Sequence, residues 1–233
     1  MYRMFLYPNT ASENTGTAAS PRWQYASFLA VGAHRDKENP IIRNGEIFVN
    51  NGFWDTYRAV WPAVCLLDPE SSGRMLDGFV EHYRDGGWTP RWSAPGYQDC
   101  MVGTSSDLVF ADAAVKNIPG FDLEEAYDSA VKNATVPSAD PAVGRKGLTT
   151  GIYQGYIDSS TEEGMSWSLE NAITDFGIHR FADLLAARCA PGDSRRRQYE
   201  ADSAYFTNRA LGYRLLFDHE ARFFRGRDAA GRF

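Results

Sequence analysis

Apolar residues recur every three or four positions through most of the chain after residue 53, which is the spacing of one helix face. The pattern is strongest after Ser71, after Asp122 and from about 164 to 189. It continues in "LTTGIYQGY" from Leu148 and from about 195 to 217. Alternating strand patterns are almost absent, and the helices come in pairs with a loop after each pair. The sequence therefore predicts a mainly α fold of six or seven helices.

Local signals indicate where these helices begin and end. Asp107 is predicted to cap one helix, and Asp122 caps another, with Glu125 three residues later as the capping-box partner. The "DGG" sequence at 85–87 ends a helix because glycine reaches left-handed backbone angles. Pro62 predicts a kink or an interruption in the helical run that begins at residue 54.

The two ends of the chain have weaker patterns. Residues 8–50 are rich in Pro, Gly, Asn, Ser and Thr, which predicts loops with a short strand in "NGEIFVNNG". Tyr2, Phe5 and Leu6 are spaced like one helix face, so the chain begins in mid-pattern and we expect structure upstream of it. The tail "ARFFRGRDAAGRF" predicts a hairpin that turns at its DxxG sequence.

Composition and charge argue against several classes of protein. Hydrophobic residues make up 43% of the chain, which is enough for a sizeable core. The net charge is −6, and the short run from Arg195 to Arg197 lies beside Glu200 and Asp202, so nucleic-acid binding is disfavoured. No apolar run approaches the roughly 20 residues of a membrane span.

Chemistry that depends on cysteine or histidine has little support in the sequence. Cys65, Cys100 and Cys189 have neither CxxC nor zinc spacing, so one disulfide with a spare thiol and three reduced thiols are both open. A nucleophilic Cys100 would need a nearby histidine, and a packed role is the simpler interpretation. The four histidines have no ligand spacing, and no pair of carboxylates stands out as acid and base.

The segment "NGFWDTYRAVWP" from Asn51 supports two interpretations. Helical geometry puts Trp54, Tyr57 and Arg58 on one face, with Asp55 about 100° round from it. A sugar needs an aromatic plane for its C–H face and charged groups for its hydroxyls. The alternative is an aromatic core helix that contains a structural Asp–Arg pair.

A second aromatic segment, "WTPRWSAPGYQDC", is predicted to be a loop because of its prolines and glycine. Trp88 and Trp92 lie on this loop. An indole ring on a loop either stacks on a ligand or packs against the rest of the domain. Both interpretations stay open.

With these motifs in order, the chain resembles glycoside hydrolase family 92, the calcium-dependent exo-α-mannosidases. The resemblance is carried by "NNGFWDTYRAVWPAVCLLDPE", "GGWTPRW", "CMVGTSSDLVFADAAVKNIPGFDLEEAY", "SWSLENAITDFGIHRFADLLA" and "YRLLFDHEARFFRGRDAAGRF", with "MYRMFLYP", "GRKGL" and "GYI". It implies an (α/α)₆ barrel. Residues 1–233 would be one partial catalytic domain, with a β-sandwich before it and more of the barrel after it.

The resemblance also implies an activity and a site. The activity is inverting, calcium-dependent removal of terminal α-mannose from glycans, and the implied sugar-binding residues are Trp54, Asp55, Arg58, Trp92 and Cys100. The catalytic acid and base belong to "NEP" and "DD.G" motifs that this sequence lacks, so no catalytic residue is expected in this chain. Most calcium ligands are expected outside it as well.

Three further expectations follow from the resemblance. The isolated chain would be inactive, and an open barrel would expose apolar helix faces. Relatives carry a "TLEYAYDD"-like run on the long helix, whereas "LENAITDFG" here leaves only Asp175 for the acidic pair. Relatives are usually exported, although the compartment and oligomeric state of this protein stay open.

Two other functions are compatible with the same residues. One is a non-catalytic carbohydrate-binding protein derived from the same fold. The other is a different helical-toroid glycosidase, such as a trehalase-like glucosidase, which would prefer glucosides. Turnover of an aryl α-mannoside distinguishes an enzyme from a binding protein, and the preferred sugar distinguishes the two glycosidases.

Overall fold

A computed structural model describes residues 7–30 and 38–233. The predicted helix face of Tyr2, Phe5 and Leu6 lies outside these residues. Within them, the fold is mainly helical, as the sequence predicts. The α-helices are α1 (Phe53–Thr56), α2 (Val60–Leu67), α3 (Pro69–Gly86), α4 (Ser105–Val115), α5 (Leu123–Thr135), α6 (Leu148–Gln154), α7 (Gly164–Arg188) and α8 (Ser194–Ala210). None of these helices is long and apolar enough to cross a bilayer.

The apolar stripes of the helices form one main core. The long helix α7 packs along α8 and across α4, and α4 also packs against α5. The centre contains large side chains with no exposed surface, namely Phe53, Phe79, Phe110, Ile178 and Phe181. Burial of each such side chain stabilises the fold by roughly 1.5–3 kcal/mol. The helical spacing of apolar residues in the sequence agrees with this core.

The predicted ends of α3 are close to those observed. α3 begins at Pro69, slightly before the start predicted after Ser71, because the Asp68 carboxylate caps it by accepting the Ser71 N–H at 3.1 Å. It ends where Gly87 takes a left-handed conformation (φ 80°) and donates its N–H to the Tyr83 carbonyl at 2.8 Å. Glycine adopts this conformation without steric penalty.

The cap of α5 is confirmed, but its capping box is incomplete. Asp122 accepts the Glu125 N–H at 2.9 Å, as the sequence predicts. The Glu125 carboxylate pairs with Arg84 on α3 instead of returning to the cap residue. A long-range ion pair therefore replaces the second half of the local motif.

The prediction that Asp107 caps a helix is wrong. Thr104 precedes α4, and Asp107 lies inside the first turn with no exposed surface. Its carboxylate accepts Thr104 Oγ1–H at 2.6 Å and Asn133 Nδ2–H at 2.8 Å, and it lies 3.6 Å from an Arg145 nitrogen. Asn133 and Arg145 are distant in sequence, so local pattern could not indicate this buried polar network.

The aromatic segment is interrupted, as predicted, but before the proline. α1 and α2 are separated by residues 57–59, and Pro62 lies in the first turn of α2. A proline in the first turn of a helix has no N–H that would need a partner there. The break between the two helices therefore lies before Pro62 and is not caused by it.

Short antiparallel strands connect the loops. They are β1 (Asn9–Thr10), β2 (Glu13–Asn14), β3 (Trp23–Ala26), β4 (Ile42–Asn44), β5 (Phe48–Val49), β6 (Asn51–Gly52), β7 (Trp92–Ser93), β8 (Phe217–Asp218) and β9 (Phe223–Phe224). The pairs are β1–β5, β2–β3–β4, β6–β7 and β8–β9. The expected strand in "NGEIFVNNG" is thus present as β5 and β6.

The last predicted helix and hairpin differ from the observed ones. α8 ends at Ala210 and a 3₁₀ turn (Gly212–Leu216) follows it. The hairpin is β8–β9, whose turn is stabilised by Asp218, which accepts the N–H of Glu220 at 2.9 Å. The DxxG sequence forms a separate turn, in which Gly231 N–H donates to the Asp228 carbonyl at 3.0 Å.

Candidate functional site

The β6–β7 pair brings the two aromatic segments of the sequence together. Asn51 is opposite Ser93, and Gly52 is opposite Trp92. The Trp92 indole lies so close to Gly52 that a Cβ atom there would be 2.1 Å from the ring. A glycine is required at this position, since any side chain would displace the ring.

A groove lies beside this strand pair, with a volume of about 530 Å³. We call it the β6–β7 groove, and it is lined by Tyr7, Asn50, Asn51, Gly52, Asp55, Thr56, Trp92, Ser93 and Ala94. The Asp55 side chain is exposed, and Arg58 pairs with Glu170 instead of with it. Two predicted site residues, Asp55 and Trp92, therefore lie in one groove.

Two buried polar groups in this groove lack partners. Asn51 Nδ2 and Ser93 Oγ have no hydrogen-bond partner among the described residues, and both side chains are almost fully buried. The Asn51 Oδ1 atom accepts the Thr56 hydroxyl at 3.3 Å, which orients the amide. An unsatisfied buried polar group costs about 1–3 kcal/mol. Both groups thus have hydrogen-bonding capacity that no described residue uses.

The sequence does not predict that Asn51 and Ser93 line this groove. Asn51 is visible in "NNGFWDTYR" and Ser93 in "WTPRWS", but neither motif indicates a shared location. Their pairing across β6 and β7 places the two residues together. Strands of only two residues leave no periodic signal in the sequence.

Trp54 and Arg58 lie outside the β6–β7 groove lining. Trp54 packs against a small apolar cluster of Val102, Ile157 and Trp167, and its indole Nε1 has no hydrogen-bond partner in the described ranges. The Arg58 guanidinium lies 4.8 Å from the Trp54 ring centroid and donates to the Trp54 carbonyl at 2.9 Å. These contacts fix the segment that carries Asp55.

Glu170 connects this segment to α7. It accepts Arg58 Nη2–H at 2.8 Å and the Tyr57 hydroxyl at 3.1 Å. Burial and the neighbouring Glu170 carboxylate raise the pKa of Tyr57 to about 12, so the phenol stays protonated and donates. The Gly103 backbone lies close to Glu170, since a Cβ atom at Gly103 would be 2.8 Å from Glu170 Cβ.

Arg91 anchors the loop that carries Trp92. Its guanidinium is buried, lies 5.0 Å from the Trp167 ring centroid and donates to the Gly144 carbonyl at 2.9 Å and to Asp99 at 2.8 Å. Burial lowers the pKa of Arg91, while the Asp99 carboxylate opposes that effect. The Arg91 carbonyl also accepts the Phe53 N–H at 3.2 Å, which joins the loop to α1.

Cys100 follows the same loop but does not line the β6–β7 groove. It is partly buried, and its backbone N–H donates to the Gln98 carbonyl at 3.0 Å. All three cysteines are free thiols, which decides between the two alternatives left by the sequence.

The acidic side chains of the described residues do not cluster into a metal site of their own. No group of three or more His, Cys, Asp or Glu side chains in residues 7–30 and 38–233 could hold a metal. Asp175, the remaining member of the expected acidic pair, accepts Arg145 Nη1–H at 2.6 Å and Arg209 Nε–H at 3.0 Å. Both of its oxygens are thus used in a structural network.

The domain is mainly helical, and a carboxylate, a carboxamide and an indole ring line one of its grooves. The chain belongs to glycosyl hydrolase family 92, whose catalytic-domain model matches residues 1–233. No curated protein sequence matches the chain.

Solved structures of family members have the same fold. The inverting mannosidase BT2199 of Bacteroides thetaiotaomicron VPI-5482 is 29% identical, with a TM-score of 0.84 over 99% of this chain. The α-mannosidase BT3965 of Bacteroides thetaiotaomicron, in complex with mannoimidazole, is 31% identical, with a TM-score of 0.70 over 82% of this chain. These matches agree with a partial helical toroid.

The chain spans a minor part of these relatives. It covers 28% of the length of the BT2199 chain and 24% of the length of the BT3965 chain.

Proposed function

We propose that this protein is part of a glycosidase that removes terminal α-mannose residues from glycans by inverting hydrolysis. Its described region supplies part of the sugar-binding pocket. The observation that carries the proposal is the meeting of Asp55, Asn51 and Trp92 in the β6–β7 groove. Family membership supports the reaction class, and the mannoimidazole complex of BT3965 supports the choice of sugar.

The groups of the β6–β7 groove suit a pyranose ring. The Asp55 carboxylate accepts hydrogen bonds from two neighbouring hydroxyls, and each such charged bond contributes about 1.5–3 kcal/mol. Asn51 Nδ2 donates to a hydroxyl oxygen, and Ser93 Oγ can donate or accept. The Trp92 ring contacts the C–H face of the sugar.

Trp54 and Arg58 support the site in this proposal. Trp54 packs on the Trp167 cluster and Arg58 pairs with Glu170, so together they hold Asp55 at the edge of the β6–β7 groove. Direct contact of Trp54, Arg58 and Cys100 with mannose is a prediction from the family resemblance.

The catalytic carboxylates are not assigned to this region. An inverting glycosidase places its acid and base about 6.5–9.5 Å apart, with a water molecule between the base and the sugar. In this proposal both groups come from other parts of the complete enzyme, and this region alone binds without turnover. Calcium stays a prediction from the resemblance, and no step is assigned to it.

Sugar titration of the chain tests the proposal. We expect methyl α-mannopyranoside to bind with millimolar affinity, and Asp55→Asn to weaken binding at least tenfold, by about 1.4 kcal/mol or more. Asp112→Asn is the matched control, since it removes a partly exposed carboxylate that does not line the groove. Equal affinity of the Asp55→Asn variant and the unchanged chain would refute the role of the groove.

Activity assays address the two alternative functions. We expect the isolated chain to leave aryl α-mannosides and aryl α-glucosides unchanged, with and without calcium. Turnover of the mannoside would contradict the assignment of the catalytic carboxylates to other parts of the enzyme. Preferential binding of methyl α-glucopyranoside would instead favour a trehalase-like glucosidase.

A further inference from the structure

A second cavity lies between α6, α7, α8 and the 3₁₀ turn after α8. Its volume is about 470 Å³, which is within the usual range of small-molecule sites. None of its lining residues lines the β6–β7 groove. We call it the α6–α8 cavity, and it is separate from the site described above.

Two residues that line this cavity have carboxamide oxygens without partners. Asn171 on α7 is only 7% exposed, and its Oδ1 has no hydrogen-bond partner in the described part of the chain. Gln154 at the end of α6 donates through Nε2 to the Ala229 carbonyl at 3.3 Å, but its buried Oε1 is also unpaired. Each unpaired oxygen costs about 1–3 kcal/mol, which a ligand with suitable donors would recover.

The charges beside these amides are already paired. Arg209 lines the α6–α8 cavity and donates through Nε to Asp175 at 3.0 Å and through Nη1 to the Ala134 carbonyl at 2.9 Å. Asp175 uses its other oxygen to accept from Arg145 at 2.6 Å. Arg214, the remaining cation of the lining, is exposed to water. The inner wall therefore favours a neutral ligand over an ion.

Hydroxyl groups suit the two amides best. A hydroxyl both donates and accepts, so it satisfies an amide in either orientation of its oxygen and nitrogen. Tyr205 on α8 lines the same cavity and leaves 41% of its surface exposed. Its aromatic face can cover the C–H groups of a ring that carries those hydroxyls.

We propose that the α6–α8 cavity is a second binding site for a neutral pyranose. Asn171 and Gln154 bind its hydroxyls, and Tyr205 contacts its ring. The cavity itself indicates a neutral ring that carries hydroxyl groups. The choice of mannose as the probe rests on the proposed function. The site would bind a sugar unit other than the one in the β6–β7 groove.

Nuclear magnetic resonance titration with methyl α-mannopyranoside tests this second site. We expect two groups of shifting amide signals, one near Asp55 and one near Asn171. Asn171→Leu should weaken binding in the second group at least tenfold and leave the first group unchanged. Asp55→Asn should do the reverse, so failure of one site is distinguishable from failure of the other.

Further variants distinguish a loss of sugar binding from a loss of folding. Tyr205→Ala changes a partly exposed side chain and should also weaken the second site, whereas Tyr205→Phe keeps the ring and should not. Thermal unfolding should show Asn171→Leu to be at least as stable as the unchanged chain, because it removes an unsatisfied amide. Absence of sugar-dependent shifts around Asn171, or shifts that persist in both Asn171→Leu and Tyr205→Ala, would overturn the proposal.

Discussion

Arg58 Nη2 lies 2.8 Å from Glu170 Oε1, and this ion pair joins residues 112 positions apart. It holds residues 54–58, which include Asp55, against the first third of α7. Glu170 is 9% exposed, whereas about half of the Arg58 side chain is open to water. The pair alone is worth about 1 kcal/mol or less because of that exposure. Its larger effect is geometric, since Asp55 lies on the same segment.

Replacement of Glu170 by Gln tests this positioning role. We expect mannoside affinity to fall about three- to tenfold, which corresponds to roughly 0.7–1.4 kcal/mol. The pKa of Tyr57 should fall below about 12, because the neighbouring negative charge is lost while burial stays. Calorimetry measures the affinity, and ultraviolet titration of tyrosine measures the pKa.

Glu200→Gln is the matched control for this experiment. Glu200 forms an exposed ion pair with Arg196 on α8, so its loss should change neither the affinity nor the Tyr57 pKa. A Glu170→Gln variant with unchanged affinity but lower stability would show that the pair is structural only.

The contact between Gly52 and Trp92 predicts a large effect of Gly52→Ala. The added Cβ would lie 2.1 Å from the ring, so Trp92 or the β6–β7 pair must move. Overpacking of this kind costs about 1–3 kcal/mol, and we expect mannoside binding to be lost as well. Chemical unfolding and titration measure the two effects.

Gly96→Ala provides the comparison within the same loop. Its Cβ would have only ordinary contacts at 3.8 Å or more, and we expect little change in stability or affinity. Equal effects of the two substitutions would contradict the specific role of the Gly52–Trp92 contact.

His82 predicts a pH dependence of stability. It is fully buried, its Nε2 donates to the Phe48 carbonyl at 2.7 Å, and burial lowers its pKa to about 4. In the unfolded chain it binds a proton below about pH 6.5. Stability from this residue is therefore present above pH 6.5 and is lost as the pH falls toward 4, by roughly 3 kcal/mol in total.

His82→Gln should remove most of this loss, because its amide can donate to the same carbonyl without titrating. Asp107 has the opposite trend, since burial raises its pKa to about 7 and its contribution to stability falls as the pH rises from about 4 to 7. Asp107 contributes equally to both proteins, so chemical unfolding at pH 5 and 7.5 should show that acid stabilises His82→Gln relative to the unchanged chain. The same change in stability between the two pH values in both proteins would contradict the prediction.

An exposed apolar stripe on α7 predicts self-association of the isolated chain. Ile173 is 44% exposed and Phe176 is 55% exposed, and both line one shallow groove with Leu211 and Tyr213. The family resemblance anticipates such faces in an open barrel. We expect the double variant Ile173→Lys, Phe176→Lys to be more monomeric and more soluble, as measured by light scattering.

Leu67→Lys is the control, because Leu67 is 72% exposed at the end of α2 and outside this stripe. It should change association much less than the double variant. A monomeric unchanged chain at high concentration would contradict this prediction.

Much of the helical architecture could be predicted from local sequence. Short-range interactions decide the start of α5 at Asp122 and the end of α3 at Gly87, and these interactions are visible as sequence spacing. The prediction failed at Asp107 because its partners, Asn133 and Arg145, are distant in sequence. A capping residue and a buried network residue have the same local sequence signal.

Periodicity and motif order in the sequence thus determined the helical class, the family and two residues of the groove, Asp55 and Trp92. Only the tertiary structure decided that Asn51 and Ser93 join them, and that Glu170 instead of Asp55 pairs with Arg58. The physical reason is the range of the forces involved. Helix formation depends on residues three or four positions apart, whereas buried polar pairing depends on which distant segments the folded core brings together.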